Sequence, residues 1–345
     1  MTLPATMRAL QLEAIGQLTE VRVRVPSPKP DEVLVRTVAT TICTSDLDDI
    51  EHNPFNITLP RVLGHEGAGV VAATGAQVED LQVGDRVTAH PVIPCRDCEN
   101  CRRGLGHLCS NLGHLGLDRD GTFAEYFCIR ADRVRRLPPT VDFRFASLLE
   151  PVAVCLEAIR RGRVAAGDTV VVIGDGPFGI LIARLALQSE PRRVIVVGRH
   201  EFRLRHVKQG MVINEKRTED VRAAIREANQ GQGVDVAIMA TGSPAAFELA
   251  LAALRARGRV VFFSAVHSPP KVDWFRLHTQ ELEILGACND QDLIDPALAC
   301  LANPGLCLDS LVTQHLPFAD WPRGFDLARY GKDEALKVAL EFGQP

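Results

Sequence analysis

The stretch TVVVIGDGPFGILIARLAL, residues 169–187, decides the fold of this chain. A valine-rich run typical of a buried strand leads into the pattern G-x-G-x-x-G, and an apolar helical pattern follows at once. The glycines permit a tight turn and a close backbone approach, while the helix N-terminus presents N–H groups to a pyrophosphate. We therefore predict a dinucleotide-binding turn formed by Gly174, Gly176, Pro177, Phe178 and Gly179.

The same alternation of strand and helix continues beyond this turn, with the strand-like runs RVIVVG, VDVAIMATG and GRVVFFSA. Such a series predicts a parallel, doubly wound sheet of the Rossmann type, which we place at 150–287. Residues 1–149 read instead as short β-rich segments between Pro- and Gly-containing turns, a pattern typical of a β-barrel. The last segment, 288–345, is too small to bury its own core and is expected to pack on the first domain.

The composition sets broad limits on function. The 345 residues suit two domains, and 46% hydrophobic and 24% charged residues with a net charge of −4 are ordinary for a soluble globular protein. No apolar run reaches the roughly 18 to 20 residues of a membrane-spanning helix, and the N-terminus lacks the features of an export signal. We expect a cytoplasmic protein with a small-molecule substrate and neither nucleic acid nor membrane as a partner.

Four of the ten cysteines form the pattern C-x2-C-x2-C-x7-C. Cytoplasmic thiols stay reduced, so a cluster of this spacing indicates a metal site rather than disulfides. Four thiolates fill all four positions of a tetrahedral zinc ion, which predicts a structural site; an iron–sulfur centre is the alternative. We read His107 as a surface loop histidine. The predicted zinc ligands are Cys95, Cys98, Cys101 and Cys109.

The end of the second strand of a dinucleotide fold selects the coenzyme, because an acid there binds both ribose hydroxyls and repels a 2′-phosphate. This chain has Gly198, Arg199 and His200 at that point and no acid. Arg199, His200 and Arg203 can instead attract a 2′-phosphate, which favours NADP over NAD. The alternative is a solvated Arg199, with NAD bound through Glu201.

Three separated elements offer a second metal site: Cys43, His65 with Glu66, and Glu150. A thiolate, an imidazole and a carboxylate leave the fourth position of a zinc ion open, as catalysis requires.

These motifs together resemble the zinc-containing medium-chain dehydrogenase/reductase family, which includes alcohol, sorbitol and threonine dehydrogenases. The matching stretches are Cys43-Thr44-Ser45-Asp46, GHEGAGVVAATGAQVEDLQVGDRV at 64–87, the four-cysteine lobe, Glu150-Pro151 and the dinucleotide turn. The resemblance covers essentially the whole chain. It implies an α/β architecture in which a GroES-like β-barrel catalytic domain joins the Rossmann coenzyme domain.

The resemblance also implies roles for single residues. Cys43 and His65 would be zinc ligands, and Glu150 falls where the polyol branch of the family has a glutamate. Glu66 would support the site or serve as an alternate ligand. Cys155 is a rival for Glu150, although five residues further on a helix it reads more simply as a buried apolar residue.

Other implied roles concern the proton and the coenzyme. Ser45 would pass the alcohol proton towards solvent, and Asp46 would either orient the histidine ligand or cap a helix. Many relatives continue the proton relay with a histidine where this chain has Asp48, so the further route of the proton stays open. Thr241 and Lys337 lie in stretches that contact the coenzyme in relatives.

The expected function is hydride transfer between a secondary alcohol, polyol or sugar, or its carbonyl, and NAD(P), with one catalytic and one structural zinc ion. Relatives form homodimers or homotetramers through the coenzyme domain, and we expect the same here. A non-catalytic dinucleotide-binding protein of the same fold is the alternative. The retained ligand set and Ser45 speak against it, and against the zinc-free quinone and enoyl reductases.

Overall fold

A computed structural model describes residues 3–266 and 268–343 of the chain. The chain divides into two compact units, which we call the terminal unit and the central unit. The terminal unit comprises Met1–Ala153, Gln291–Gly331 and Ala335–Pro345, and the central unit comprises Val154–Asp290 and Lys332–Glu334. The unit boundaries lie a few residues beyond the expected positions 149 and 287.

The strands, in chain order, are β1 Thr6–Ala14, β2 Gln17–Arg24, β3 Glu32–Thr41, β4 Arg61–Val62, β5 Glu66–Thr74, β6 Arg86–Ala89, β7 Val92–Ile93, β8 Gly113–His114, β9 Tyr126–Arg130, β10 Val134–Arg136, β11 Thr169–Ile173, β12 Arg193–Gly198, β13 Met211–Asn214, β14 Val234–Met239, β15 Leu254–Phe262, β16 Glu283–Gly286, β17 Val312–Pro317 and β18 Lys337–Glu341. The α-helices are α1 Thr44–His52, α2 Glu99–Arg102, α3 Phe143–Ala146, α4 Leu149–Arg161, α5 Pro177–Ala186, α6 Glu201–Leu204, α7 Val221–Ala228, α8 Pro244–Ala253, α9 Trp274–Thr279, α10 Ile294–Leu301 and α11 Trp321–Tyr330.

The central unit is built on a six-stranded parallel sheet with the order β13-β12-β11-β14-β15-β16. Strands β11 and β14 are buried along their whole length, as expected for a sheet covered on both faces, and their side chains are mostly Val, Ile and Ala. The strand order reverses between β11 and β14, and in such sheets ligands bind beyond the carboxyl ends of the strands at this point. The topology confirms the predicted doubly wound Rossmann sheet.

The terminal unit contains a larger, mainly antiparallel sheet with the order β10-β6-β5-β3-β18-β17, in which β9 also pairs with β3. Strand β3 lies at its centre and is buried over almost its whole length. The C-terminal strand β18 pairs antiparallel with β3, with Ala339 opposite Thr41. On the other side of β3, Thr41 lies opposite Glu66 of β5. The ends of three strands distant in sequence therefore meet at one place.

The terminal unit also contains a three-stranded sheet, β2-β1-β4, and a two-stranded ribbon, β7-β8. Apolar side chains from β1, β18 and α11 pack together in one core cluster that includes Leu10, Phe123 and Phe325. Within the part of the chain that the structure describes, no helix is both long and apolar enough to cross a membrane.

Candidate functional site

The four cysteines of the predicted lobe come together in the terminal unit, with all four sulfur atoms within 4.8 Å of one another. The Sγ atoms of Cys98 and Cys109 are 3.7 Å apart, and those of Cys95 and Cys101 are 4.0 Å apart. A tetrahedron of zinc–sulfur bonds has edges of about 3.8 Å, so the spacing fits zinc. Hydrogen bonds from the backbone N–H groups of Cys101 and Ser110 lower the pKa of Cys98 to about 6, which favours the thiolate that binds a metal.

The prediction that His107 lies on the surface is wrong. This histidine sits in a short 3-10 turn, Gly106–Leu108, and is 8% exposed. The reason is that the loop closes on itself at this point, with the backbone N–H of Cys109 donating to the carbonyl of Gly106, so the His107 side chain faces the protein while that of Leu108 is 46% exposed. His107 lies outside the group of four sulfur atoms.

A second group of candidate ligands consists of Cys43, His65 and Glu66, which are all buried and have their ligand atoms within 4.8 Å of one another. Cys43 follows β3 and caps the N-terminus of α1, while Glu66 is the first residue of β5. The pairing of β3 with β5 brings these two segments side by side. Soft sulfur, imidazole nitrogen and carboxylate oxygen are all ligands that zinc accepts.

Asp46 links two members of this group. Its Oδ2 accepts the backbone N–H of Cys43 at 2.8 Å, and its Oδ1 lies 3.2 Å from Nδ1 of His65. The structure thus confirms the predicted contact with the histidine; Asp46 is not itself the N-cap of α1, which is Cys43, but completes a capping box with it as the third residue of the helix. Burial lowers the pKa of His65, but the Asp46 carboxylate raises it by more, to well above its usual value. Because Nδ1 faces Asp46, Nε2 is the nitrogen available to a metal.

Glu66 is held by two donors that the sequence did not reveal. Nζ of Lys337 lies 2.6 Å from its Oε1, and the hydroxyl of Thr41 donates to its Oε2. The Lys337 side chain is 3% exposed and that of Glu66 is 0% exposed, so the ion pair is fully buried. Burial lowers the pKa of Lys337, but the attraction of Glu66 outweighs burial and the net shift is upward. The lysine is therefore charged. Both carboxylate oxygens of Glu66 are therefore engaged.

Glu150 lies in the first turn of α4 and is 8% exposed. Glu150 does not belong to the group of ligand atoms from Cys43, His65 and Glu66 that lie within 4.8 Å of one another. Its Oε2 is nevertheless buried and has no hydrogen-bond partner. Burial raises the pKa of Glu150 to about 7; the charge of His65 lowers it and that of Glu66 raises it, so both groups lie near. A buried carboxylate oxygen without a partner is costly, and a metal ion or a metal-bound water would satisfy it.

The first turns of α1 carry the candidate proton groups. Ser45 is partly buried in the turn after Cys43, and Asp48 is partly buried as well. Sequence reasoning missed Asp49, which is 3% exposed and has an Oδ1 without a hydrogen-bond partner. Burial, with the neighbouring charge of Asp46, raises the pKa of Asp49 to about 7. No sequence signal distinguished this aspartate from its neighbours.

The dinucleotide turn of the central unit has the geometry that its glycines predict. Gly174 has a φ of +125°, and a Cβ on Gly179 would lie 2.0 Å from the carbonyl oxygen of Gly174. Nothing lies within 4 Å of the place where Gly176 would carry a side chain, which leaves an open cradle at the N-terminus of α5. Pro177 begins the helix and the ring of Phe178 lies 5.3 Å from that of Phe263. The turn fits a bound pyrophosphate.

At the end of β12, both predicted coenzyme-selecting residues have carboxylate partners. Arg199 is largely exposed and its Nε lies 2.8 Å from Glu215, while Nδ1 of His200 lies 3.1 Å from Asp175. Thr241 follows β14 at the carboxyl edge of the sheet and is partly buried.

Cys155, the rival zinc ligand, is buried in α4, and its sulfur lies 3.8 Å from the carbonyl oxygen of Phe178. It is thus explained as a packing residue of the central unit.

Comparison with known proteins agrees with the fold and with the two groups of candidate metal ligands. The family model "Alcohol dehydrogenase GroES-like domain" matches residues 29–139, and "Zinc-binding dehydrogenase" matches residues 177–303. The chain is 34% identical over 331 residues to an L-threonine 3-dehydrogenase of Pyrococcus abyssi, covering 93% of this chain and 94% of that protein.

Two solved structures share the fold over 98% of this chain and 100% of their own. One is described as a zinc-binding dehydrogenase of Sinorhizobium meliloti 1021 bound to NADP, with a TM-score of 0.90 and 27% identity. The other is an alcohol dehydrogenase of Escherichia coli CFT073 complexed with NADH, with a TM-score of 0.91 and 27% identity.

A Rossmann sheet with a dinucleotide turn, joined in one chain to a GroES-like unit with zinc-type ligand groups, defines a zinc-dependent, nicotinamide-dependent dehydrogenase. The chain belongs to the zinc-containing medium-chain dehydrogenase/reductase family. It is an enzyme that moves a hydride between an alcohol and a nicotinamide coenzyme, and the alternative of a regulatory binding protein is set aside.

Proposed function

We propose that the enzyme acts on a secondary alcohol, polyol or sugar, or on the corresponding carbonyl, at a zinc ion held by Cys43, His65 and Glu150. The observation that carries this proposal is the buried Oε2 of Glu150, which has no hydrogen-bond partner although His65 and Glu66 lie near it. Unmatched ligand atoms of this kind are expected where a metal ion completes the site.

The contacts of Glu66 support the choice of Glu150 as the third ligand. Lys337 and Thr41 each donate to one oxygen of Glu66, so a zinc ion bound there would have to share an oxygen with a buried charge-assisted hydrogen bond. Glu150 gives up nothing of the kind. We therefore assign Glu66 as the anchored carboxylate beside the metal and as the alternate ligand to Glu150.

Zinc, when bound, supplies Lewis-acid polarisation of the substrate oxygen, and the nicotinamide supplies the hydride acceptor. The residues of the chain supply orientation and proton transfer. Asp46 fixes the imidazole of His65 so that Nε2 faces the ligand group, and Ser45 would take the alcohol proton towards solvent. We propose a second, structural zinc ion in the four-cysteine lobe, where no position remains for substrate.

We propose that the Rossmann domain, placed at about 150–287, binds NADP in preference to NAD. Gly174, Gly176, Pro177, Phe178 and Gly179 would hold the pyrophosphate, and Thr241 would contact the coenzyme from the neighbouring strand end. The preference is supported by the absence of an acid on β12 and by Arg199, whose largely exposed guanidinium can attract a 2′-phosphate. His200 adds a further donor at the same place.

We also propose a homodimer or homotetramer, formed through the central unit. The edge strand β16 leaves its outer hydrogen-bonding groups unpaired by any strand of its own sheet, and Ile284 on it is 39% exposed. Trp274 and Phe275 of α9 are 68% and 78% exposed. Large apolar side chains that lie exposed next to each other are typical of a surface that another protein chain covers. A cytoplasmic location is supported by the ten cysteines, which are all free thiols.

The test of the proposed function combines activity with metal content. Purified protein is offered a panel of secondary alcohols, polyols, sugars and L-threonine with NADP or NAD, while absorbance of the reduced coenzyme is followed. We expect turnover that a chelator abolishes, and we expect Glu150→Gln to lose turnover and one zinc ion while it keeps its affinity for the coenzyme. Full activity and full zinc content in Glu150→Gln would refute the ligand assignment.

The matched control is Glu157→Gln, which changes a buried glutamate of the same helix whose partner is Arg160. This variant should keep both zinc ions and turnover. Parallel losses in the two variants would mean that damage to α4, and not loss of a ligand, explains the result.

A further inference from the structure

The end of β12 is not free of acid, although its own sequence contains none. The carboxylate of Asp175, from the first variable position of the dinucleotide turn, reaches across to residues 198–200. In this fold the end of that strand is where a carboxylate meets the adenosine ribose in NAD-dependent enzymes. No sequence pattern indicates this contact, because residues 175 and 198 belong to different strand–helix units.

Gly198 creates the space for Asp175. A Cβ at position 198 would lie 2.5 Å from Cβ of Asp175 and 2.7 Å from its Oδ2. A side chain on the last residue of β12 and the observed position of Asp175 therefore exclude each other. The carboxylate occupies the place next to the strand end where a side chain of residue 198 would begin.

The position of Asp175 is well defined by its hydrogen bonds. Its Oδ2 accepts the backbone N–H groups of Arg199 and His200, both at 2.6 Å, and its Oδ1 lies 3.1 Å from Nδ1 of His200. The residue is 5% exposed. Burial raises its pKa, but the donors from His200 and Arg199 lower it by more, so that the pKa is below the usual range and the group is ionised at neutral pH.

Two arginines and two carboxylates lie around the end of β12. Arg199 is paired with Glu215 through Nε, while Arg203 is 9% exposed and is attracted by Asp175. The pocket that would receive a 2′-phosphate thus contains a fixed negative charge as well as the attracting arginine. Like charges held at fixed positions in a partly buried site repel appreciably.

We propose that Asp175 is a specificity-determining residue, which supplies the negative charge that β12 itself lacks, without the ribose contact of such an acid, and so limits the preference for NADP that Arg199 creates. This inference rests on the proposed use of a nicotinamide coenzyme at this turn and goes beyond it, because it assigns a second and opposing determinant. Removal of the Asp175 charge strengthens binding of the coenzyme that carries a 2′-phosphate and leaves the other coenzyme unaffected.

The test uses Asp175→Asn, which keeps the shape of the side chain. Its amide oxygen can accept both backbone N–H groups, and its NH₂ group can donate to Nδ1 of His200. Dissociation constants for NADPH and NADH are measured by calorimetry with the full zinc-loaded protein. We expect the ratio of NADH to NADPH dissociation constants to rise about tenfold, through tighter NADPH, and the gain to shrink at high salt.

The control is Asp168→Asn, which removes an equal charge at the amino end of β11. Asp168 is paired with Arg259 and lies one strand length, about 17 Å, from the turn. This variant should leave the ratio unchanged.

An unchanged or lowered ratio in Asp175→Asn would overturn the inference, since it would make Asp175 a support for the turn rather than a determinant of choice. A wild-type protein that binds NADH more tightly than NADPH would instead refute the proposed NADP preference. The change in the ratio caused by Asp175→Asn can still be measured in that case. Failure of the proposed NADP preference is therefore distinguishable from failure of the role of Asp175.

Discussion

The buried ion pair between Lys337 and Glu66 makes the most specific prediction about stability. Its atoms are 2.6 Å apart, and the side chains are 3% and 0% exposed. Replacing one partner leaves the other as an unpaired buried charge, which costs about 3–5 kcal/mol, whereas an exposed pair contributes at most about 1 kcal/mol. Lys337→Met should therefore lower the free energy of unfolding of the terminal unit by about 3–5 kcal/mol.

The assay exploits the two tryptophans of the chain, of which Trp321 lies in the terminal unit. In a Trp274→Phe background, emission from Trp321 reports urea unfolding of that unit in zinc-saturated protein. The double variant Lys337→Met/Glu66→Gln should regain most of the loss, because no unpaired charge remains. The control Arg329→Met breaks the more exposed contact with Glu51, 2.8 Å long, and should cost less than about 1 kcal/mol. A loss below about 1 kcal/mol in Lys337→Met would refute the reasoning.

Three further predictions concern other parts of the molecule. Asp49→Asn should be more stable than wild type at pH 8.5 and lose most of that advantage at about pH 4, as measured by urea unfolding. The reason is that the folded state raises the pKa of Asp49 from 3.8 to about 7, so wild-type stability falls as pH rises through that window; an equal difference at both pH values would contradict this. Gly179→Ala should weaken coenzyme binding at least about tenfold with no change in zinc content, because the new Cβ would lie 2.0 Å from the Gly174 oxygen. Cys109→Ser should lose one zinc ion, seen by elemental analysis, while calorimetry finds coenzyme affinity retained; retention of both zinc ions would count against the four-cysteine site.

The parts of the fold that the sequence predicts are those whose signals are local. The strand, turn and helix at 169–187 carry their own pattern of apolar residues and glycines. The alternation of strands and helices that follows predicts a parallel sheet, because each helix connects two strands that run in the same direction. The four cysteines at 95–109 are likewise close in sequence, so their meeting needs only a short loop to close. For the dinucleotide turn and for the four-cysteine site, the sequence already predicts the arrangement and the structure adds the distances.

The parts that the sequence does not predict depend on contacts between distant segments. Lys337 contacts Glu66 only because β18 pairs with β3. No residue near Glu66 in the sequence predicts that pairing. Asp175 reaches the end of β12 only because Gly198 leaves room there. The burial of His107 depends on how the loop closes at Gly106–Leu108, which the spacing between the cysteines does not encode. In each case the tertiary arrangement, not a motif, determines the environment of the charged or polar side chain.

The most direct test of the central claim is a crystal structure of the zinc-loaded protein with anomalous scattering measured at the zinc edge. We predict two zinc peaks, one within the four cysteines and one bound by Cys43, His65 and Glu150, with a carboxylate oxygen at about 2.0–2.2 Å. Glu66 should stay with Lys337. A single peak, or a second peak bound by Glu66 with Glu150 turned away, would contradict the assignment of the catalytic site.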